Sequence, residues 1–180
     1  MLVLASQSPR RSEILRQAGI PFTVRAASVD ESPRVGEAPV DYVRRLAALK
    51  AQSVPVSAGE IVLGADTTVV VANEMLGKPA GPADASRMLN LLSGRRHEVI
   101  TGICLRRGAG DSFCDHAVTA VWFAPIDARE IEDYVASGEP MDKAGAYAIQ
   151  GLASKFIHRI EGCYFNVVGL PVALLYRHLP

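Results

Sequence analysis

Residues 4–19 read LASQSPRRSEILRQAG, which predicts a short apolar strand that runs directly into a helix. Ser8 is a good N-cap and Pro9 suits the first helical position. Arg10 and Arg11 therefore fall in the first turn, where the helix dipole is already positive. A strand that leads into a helix is the unit from which α/β folds are built, so this stretch indicates that fold class.

The two arginines carry the wrong charge for the start of a helix, and an anionic ligand would compensate them. Free backbone N–H groups, a serine hydroxyl and two guanidinium groups suit phosphate, and two adjacent arginines suggest more than one phosphate. The alternative is that both side chains point into water. Because removal of either cation relieves a mismatch with the dipole, we expect its substitution to leave stability unchanged or raised.

The rest of the chain alternates between strand and helix patterns. Strands are predicted at 61–71, 97–105 and 113–123 and around Ile157 and Val167, and helices at 40–52, 83–92, 127–135 and 171–178. Segment 139–151 mixes charged, small and aromatic residues without a clean period, which is typical of a functional loop. The pattern as a whole predicts a mixed α/β fold.

Composition limits the classes of protein that need to be considered. With 180 residues, of which 49% are hydrophobic, the chain suits one domain with one sizeable core. The formal net charge is zero, so a nucleic-acid partner is not favoured. A small polyanionic ligand is compatible with this charge, because it needs only a local positive patch. Since no apolar run approaches the length that spans a membrane, and the N-terminus lacks the order of a signal peptide, we expect no membrane association.

The three cysteines predict neither a disulfide framework nor a zinc site. Cys104, Cys114 and Cys163 are odd in number, and no two of them form a Cys-x-x-Cys pair. Such usage is typical of a reducing compartment, so the expected location is the cytoplasm.

Two charged residues stand in apolar surroundings. Lys50 falls on the apolar face of the helix predicted at 40–52, seven residues after Val43. Either its stem passes the edge of the core and its ammonium reaches water, or the side chain enters a cleft and meets a ligand. Asp66 interrupts the β-branched run at 61–71, where an ionised carboxylate is costly unless it is paired, and it therefore requires a cation nearby.

These charged residues suit the chemistry of phosphoanhydrides, which needs both cations and metal-binding carboxylates. The candidates for phosphate are Arg10, Arg11, Lys50 and Lys78, and those for a divalent cation are Asp30, Glu31 and Asp66. Taken alone, Lys78 suits a solvated loop and Asp30-Glu31 a solvated acidic turn. His97 and His116 lack the spacing of metal ligands and are interpreted as structural or exposed.

Five motifs occur in order along the chain: ASQSPRR at 5–11, GADT at 64–67, GKP at 77–79, SG at 93–94 followed by His97, and the loop at 139–151. In this combination the chain resembles the Maf family of nucleoside triphosphate pyrophosphatases over essentially its whole length. The resemblance implies an elongated α/β domain at 1–180, with a mixed sheet flanked by helices and two lobes around a central cleft, similar to the inosine triphosphate pyrophosphatases. It also implies a divalent metal, Mg²⁺ or Mn²⁺, a homodimer in many members, and hydrolysis of a nucleoside triphosphate to the monophosphate and diphosphate.

The resemblance also implies roles for individual residues. Asp66 matches the catalytic proton acceptor, and the other polar positions of the cleft are matched by Ser8, Arg10, Arg11, Glu31, Lys50 and Lys78. Positions linked to substrate choice are matched by Arg10, Thr67 and Gln150. The predicted metal ligands are Glu31 and Asp66, and the predicted substrate-binding residues are Ser8, Arg10, Arg11, Lys50, Thr67, Lys78 and Gln150. A metal-bound carboxylate is a poor base, so the two roles of Asp66 stay open. Gln7 and Cys163 depart from the usual family residues, but neither removes a charged group, so the departures concern substrate fit.

Gln150 favours the branch of the family that acts on dTTP and UTP. A carboxamide can both donate to a carbonyl and accept from the N3–H group of uracil or thymine. The other branch acts on 7-methyl-GTP, and its typical glutamate offers acceptors only. A rival from another class is a non-catalytic nucleotide-binding regulator of septum formation, which would bind nucleotide without turnover.

Overall fold

The computed structural model describes residues 1–108 and 110–180. Its strands are β1 (Leu2–Leu4), β2 (Phe22–Val24), β3 (Ile61–Val71), β4 (Glu74–Leu76), β5 (Arg96–Arg107), β6 (Asp111–Phe123) and β7 (Ile157–Glu161). Its α-helices are α1 (Pro9–Gln17), α2 (Pro39–Gln52), α3 (Pro82–Leu92), α4 (Ala128–Ala136), α5 (Tyr164–Val168) and α6 (Val172–Tyr176). None of these helices is long and apolar enough to cross a membrane.

The strands form one open mixed sheet in the order β2-β1-β3-β5-β6-β7, and β4 pairs with β3. β1 pairs in parallel with both β2 and β3, whereas β3 with β4 and β6 with β7 are antiparallel. Helices flank this sheet, as the alternating sequence pattern predicts. The predicted α/β class is therefore confirmed, and the central cleft stays a prediction.

The chain divides into two compact units, each with its own buried residues. The first comprises 1–67, 100–117 and 169–180, and the second comprises 68–99 and 118–168. In the first, small apolar side chains of β1, β3 and α2 pack together. In the second, side chains of α3, α4 and the segment after α4 surround Phe123.

Two glycines of the first unit determine how closely α2 approaches the sheet. A Cβ at Gly64 would lie 2.0 Å from the carbonyl oxygen of Ala47, and one at Gly102 would lie 2.5 Å from that of Val43. No larger residue fits at either position without displacing backbone. The helix therefore rests directly on β3 and β5, and this contact positions the charged residues described below.

His97 is a structural residue, as the sequence indicates. It is buried in the second unit, and its Nε2 lies 2.8 Å from the hydroxyl oxygen of Tyr147. Burial lowers the pKa of His97 to about 4, because a desolvated imidazolium is unfavourable. The ring is therefore neutral at pH 7.

The sequence predicts no disulfide framework, but Cys104 and Cys114 form one bridge, which that prediction did not include. They lie on β5 and β6, which are neighbours in the sheet, and their Cα atoms are 4.1 Å apart. An odd cysteine count shows only that one residue must remain unpaired, and that residue is Cys163. The bridge weakens the argument from cysteine usage to a reducing compartment, so the cytoplasmic location stays a prediction.

The strand predicted around Val167 is wrong, because Tyr164–Val168 forms α5. The run is too short for its periodicity to distinguish a strand from a helix. Tertiary contacts favour the helix: Asn166 is fully buried, and its Nδ2 donates to the Val99 carbonyl and to the Thr119 hydroxyl.

Candidate active site

The contact between α2 and β3 brings Lys50 to Asp66. Gly64 and Asp66 lie two residues apart on one face of the strand, and Ala47 and Lys50 lie one turn apart on the helix. Since Gly64 contacts Ala47, Asp66 faces Lys50, and Nζ lies 2.6 Å from Oδ1. The cation that the buried carboxylate requires is therefore this ammonium group.

Glu31 completes a charged triad, because its Oε1 lies 2.7 Å from the same Nζ of Lys50. Glu31 and Asp66 thus share one ammonium between two carboxylates. Lys50 is buried, so its ammonium does not pass along the edge of the core to water. The other arrangement considered from the sequence, in which the side chain enters a cleft and meets a ligand, stays a prediction.

Helix α2 also holds the exposed segment that carries Glu31. Tyr42 donates to the Glu31 carbonyl oxygen at 2.9 Å, and Arg45 donates to the Ser32 carbonyl oxygen at 3.1 Å. The Arg45 guanidinium also makes two hydrogen bonds to the Glu37 carboxylate, at 2.5 and 2.7 Å. The pKa of Glu37 is lowered to about 2 by this guanidinium, so the attachment persists at neutral pH. Sequence reasoning did not single out Tyr42, Arg45 or Glu37.

The surroundings of Asp66 make its carboxylate a stronger proton acceptor than an exposed aspartate. Burial raises the pKa of the Asp66 carboxyl, and the nearby Glu31 carboxylate raises it further. Lys50 and Arg11 oppose this rise through their positive charges. A raised carboxyl pKa brings a general base closer to the pH at which it operates.

Arg11 organises the ends of several elements in the first unit. Its Nε donates to the Gly169 carbonyl oxygen at 2.9 Å, Nη1 donates to Ser6 Oγ at 3.1 Å, and Nη2 donates to Thr67 Oγ1 at 3.1 Å. Thr67 Oγ1 in turn lies 2.9 Å from Thr101 Oγ1 on β5. The interpretation in which both arginines point into water is therefore wrong for Arg11, which is buried.

The start of α1 matches the sequence prediction in most respects. Ser8 occupies the N-cap with an extended backbone and Pro9 follows it, but the Ser8 side chain makes no capping hydrogen bond. Arg10 is half-buried, and the first turn contains no acidic residue. The helix end thus keeps its positive character, and phosphate binding there stays a prediction.

Lys78 and Gln150 belong to the second unit, and both are exposed. Lys78 lies in the turn between β4 and α3, and Gln150 lies near the end of segment 139–151. The N–H group of Gly145 donates to the Gly77 carbonyl oxygen at 3.0 Å, which joins the segment to this turn. The approach of Lys78 and Gln150 to Asp66 stays a prediction.

The carboxylates of Glu31 and Asp66 fit a hard divalent cation. Among the described residues, no group of three or more His, Cys, Asp or Glu side chains could hold a metal by itself. Mg²⁺ typically binds one or two carboxylates and completes its shell with substrate phosphates and water. A pair of carboxylates beside Lys50 suits that mode of binding.

Comparison with known proteins agrees with the architecture and the motifs. A family model described as Maf-like protein matches residues 1–180. The dTTP/UTP pyrophosphatase of Symbiobacterium thermophilum is 55% identical over 95% of this chain and 88% of its own length. That of Anaeromyxobacter dehalogenans is 54% identical over 96% and 89%. The solved structure of the Staphylococcus aureus Ham1 protein has a TM-score of 0.55 and 15% identity, covers 98% of this chain and 96% of its own, and shows the fold.

Proposed function

The chain belongs to the Maf family, and we propose that it hydrolyses dTTP and UTP to the nucleoside monophosphate and diphosphate. The observation that carries this proposal is the buried Asp66 carboxylate, paired with Lys50 and adjoining Glu31. The names of the two curated relatives support the choice of substrates.

In the proposed reaction, water attacks the α-phosphorus and its proton passes to the Asp66 carboxylate. The bond from the α-phosphorus to the bridging oxygen breaks, and diphosphate leaves with the electron pair of that bond. Lys50 holds Oδ1 of Asp66 and so orients the carboxylate. Arg10 at the start of α1 and the exposed Lys78 supply positive charge for the triphosphate.

A divalent cation, Mg²⁺ or Mn²⁺, would be held by Glu31 and Asp66 and would neutralise charge on the phosphates. If Asp66 binds the metal directly, it is a weaker base, so the two roles compete for one carboxylate. Lys50 contacts both acidic residues and so holds the two carboxylates near one another.

We further propose that Gln150 reads the base. Replacing Gln150 with Glu removes the donor to O4 of uracil or thymine and places a negative charge beside a carbonyl. An unpaired, desolvated acceptor costs about 1–3 kcal/mol, so kcat/KM on dTTP and UTP should fall about tenfold or more. The value on 7-methyl-GTP should stay unchanged or rise.

A panel of triphosphates assayed for diphosphate release tests both proposals. The native chain should turn over dTTP and UTP in preference to CTP and 7-methyl-GTP. Nucleotide binding without diphosphate release would instead favour the non-catalytic regulator. A uniform loss on all substrates in Gln150→Glu would mean that the side chain supports the segment and does not read the base.

The proposal on assembly rests on family resemblance, and the proposal on location rests on the cysteine usage of the sequence. We propose a homodimer in the cytoplasm, and neither property enters the chemistry above. The proposed steps use only groups of one chain.

A further inference from the structure

One carboxylate contacts both ends of the segment that carries Gln150. Oε1 of Glu139 accepts from the hydroxyl of Tyr134 at 2.8 Å, and Oε2 accepts from the N–H group of Leu152 at 3.1 Å. Tyr134 lies on α4 before the segment, and Leu152 follows it. Glu139 therefore closes segment 139–151 into a loop with a fixed base, all within the second unit.

The Tyr134 hydroxyl makes a second contact inside this loop. It accepts from the N–H group of Ala148 at 3.2 Å, two residues before Gln150. The tyrosine is buried, and burial together with the Glu139 carboxylate raises its pKa, so the hydroxyl keeps its proton. It can thus donate to Glu139 and accept from Ala148 at the same time.

Gly151 makes room for this arrangement. A Cβ at that position would lie 2.3 Å from Oε2 of Glu139, so a larger residue would displace the carboxylate. Gln150 consequently lies between two anchored backbone positions, the N–H group of Ala148 and that of Leu152. Its own side chain is exposed, so the anchored backbone on either side fixes the place from which that side chain extends.

We propose that Tyr134 and Glu139, here called the clasp, are positioning residues that set base selection through Gln150. The inference rests on the proposed function, since it requires that Gln150 reads the base. It assigns a role in substrate specificity to two residues, and in the proposed reaction these contact neither the phosphates nor the reacting atoms. Removing the clasp should weaken discrimination between bases more than it weakens catalysis.

Tyr134→Phe tests the clasp, because it removes both hydrogen bonds and keeps the buried ring. We expect the ratio of kcat/KM for UTP over CTP, which share the same sugar, to fall about fivefold to tenfold, mainly through KM, with kcat within about twofold. Tyr176→Phe is the matched control, because Tyr176 is 70% exposed, and it should leave the ratio unchanged. If Tyr134→Phe keeps the native ratio, the clasp does not set specificity.

A double-mutant cycle with Gln150→Ala separates positioning from general support. If the clasp acts through Gln150, Tyr134→Phe should not lower the ratio further in the Gln150→Ala background. An equal loss in both backgrounds would mean a general structural effect and would overturn the proposal. If Gln150→Ala itself leaves the ratio unchanged, base reading by Gln150 fails, and the clasp fails with it.

Glu139→Gln provides a second route should Tyr134→Phe melt too low to assay. It keeps one acceptor but turns the other into an NH₂ group that faces a donor, so the ratio should fall in the same direction. Glu132→Gln, at an exposed position of α4, is its control. A native ratio in Glu139→Gln would contradict the clasp.

Discussion

Replacing Asp66 with Asn is expected to lower kcat for dTTP hydrolysis by about a thousandfold, since a positioned general base contributes roughly 10²–10⁴. The amide cannot take the proton of water, although its oxygen can still accept a hydrogen bond from Lys50. Lys50 also keeps its contact with Glu31, so no unpaired buried ammonium results and the protein should remain folded. Diphosphate release and a thermal melt measure the two effects.

Asp133→Asn serves as the control for this substitution, because the Asp133 side chain is 75% exposed on α4. It should keep native turnover and a native melting temperature. If Asp66→Asn retains turnover within a few-fold of the native chain, Asp66 does not act as the proton acceptor.

Replacing either of the two adjacent arginines should lower turnover, but only Arg11→Ala should also lower stability. Arg11→Ala removes three hydrogen bonds from a buried guanidinium, and charge-assisted bonds contribute roughly 1.5–3 kcal/mol each. Unfolding by denaturant should therefore show a loss of about 3 kcal/mol or more for Arg11→Ala. Turnover should fall by about tenfold or more, because Thr67 and Ser6 lose the group that orients them.

Arg10→Ala is the matched variant one residue earlier. Its stability should hold or rise, because a cation leaves the positive end of α1, whereas its turnover should also fall about tenfold or more. The expectation that either substitution preserves stability thus applies to Arg10 and is revised for Arg11. Equal stability of the two variants would contradict the structural role assigned to Arg11.

Elements with strong periodicity could be predicted from the sequence. The bounds of β3 agree with its β-branched run at 61–71, and α2 begins one residue before the predicted 40–52. Asp127 and Glu130 form a capping box at the start of α4, in agreement with the helix predicted at 127–135. These features depend on neighbours in the chain, and local pattern therefore suffices for them.

Long-range contacts explain what the sequence did not predict. The pairing of Cys104 with Cys114 depends on the register of β5 and β6, and the helix at Tyr164–Val168 depends on the partners of Asn166. A cysteine count and a five-residue apolar run contain neither kind of information.

The charged site was predictable residue by residue but not as an arrangement. Lys50 and Asp66 each stand out as charges in apolar surroundings, yet their contact depends on the approach that Gly64 allows. Gly64 lies two residues before Asp66, and this spacing is the signal that could have suggested a helix above the carboxylate. Thr101, which lies beside Thr67, carries no comparable signal in the sequence.

Cleavage of dTTP in ¹⁸O-labelled water, followed by ³¹P NMR, tests the central claim most directly. With Mg²⁺ or Mn²⁺ present, the purified chain should form dTMP and diphosphate in equal amounts, with the label in dTMP because water attacks the α-phosphorus. Formation of dTDP and inorganic phosphate, or label in the diphosphate, would contradict the proposed reaction.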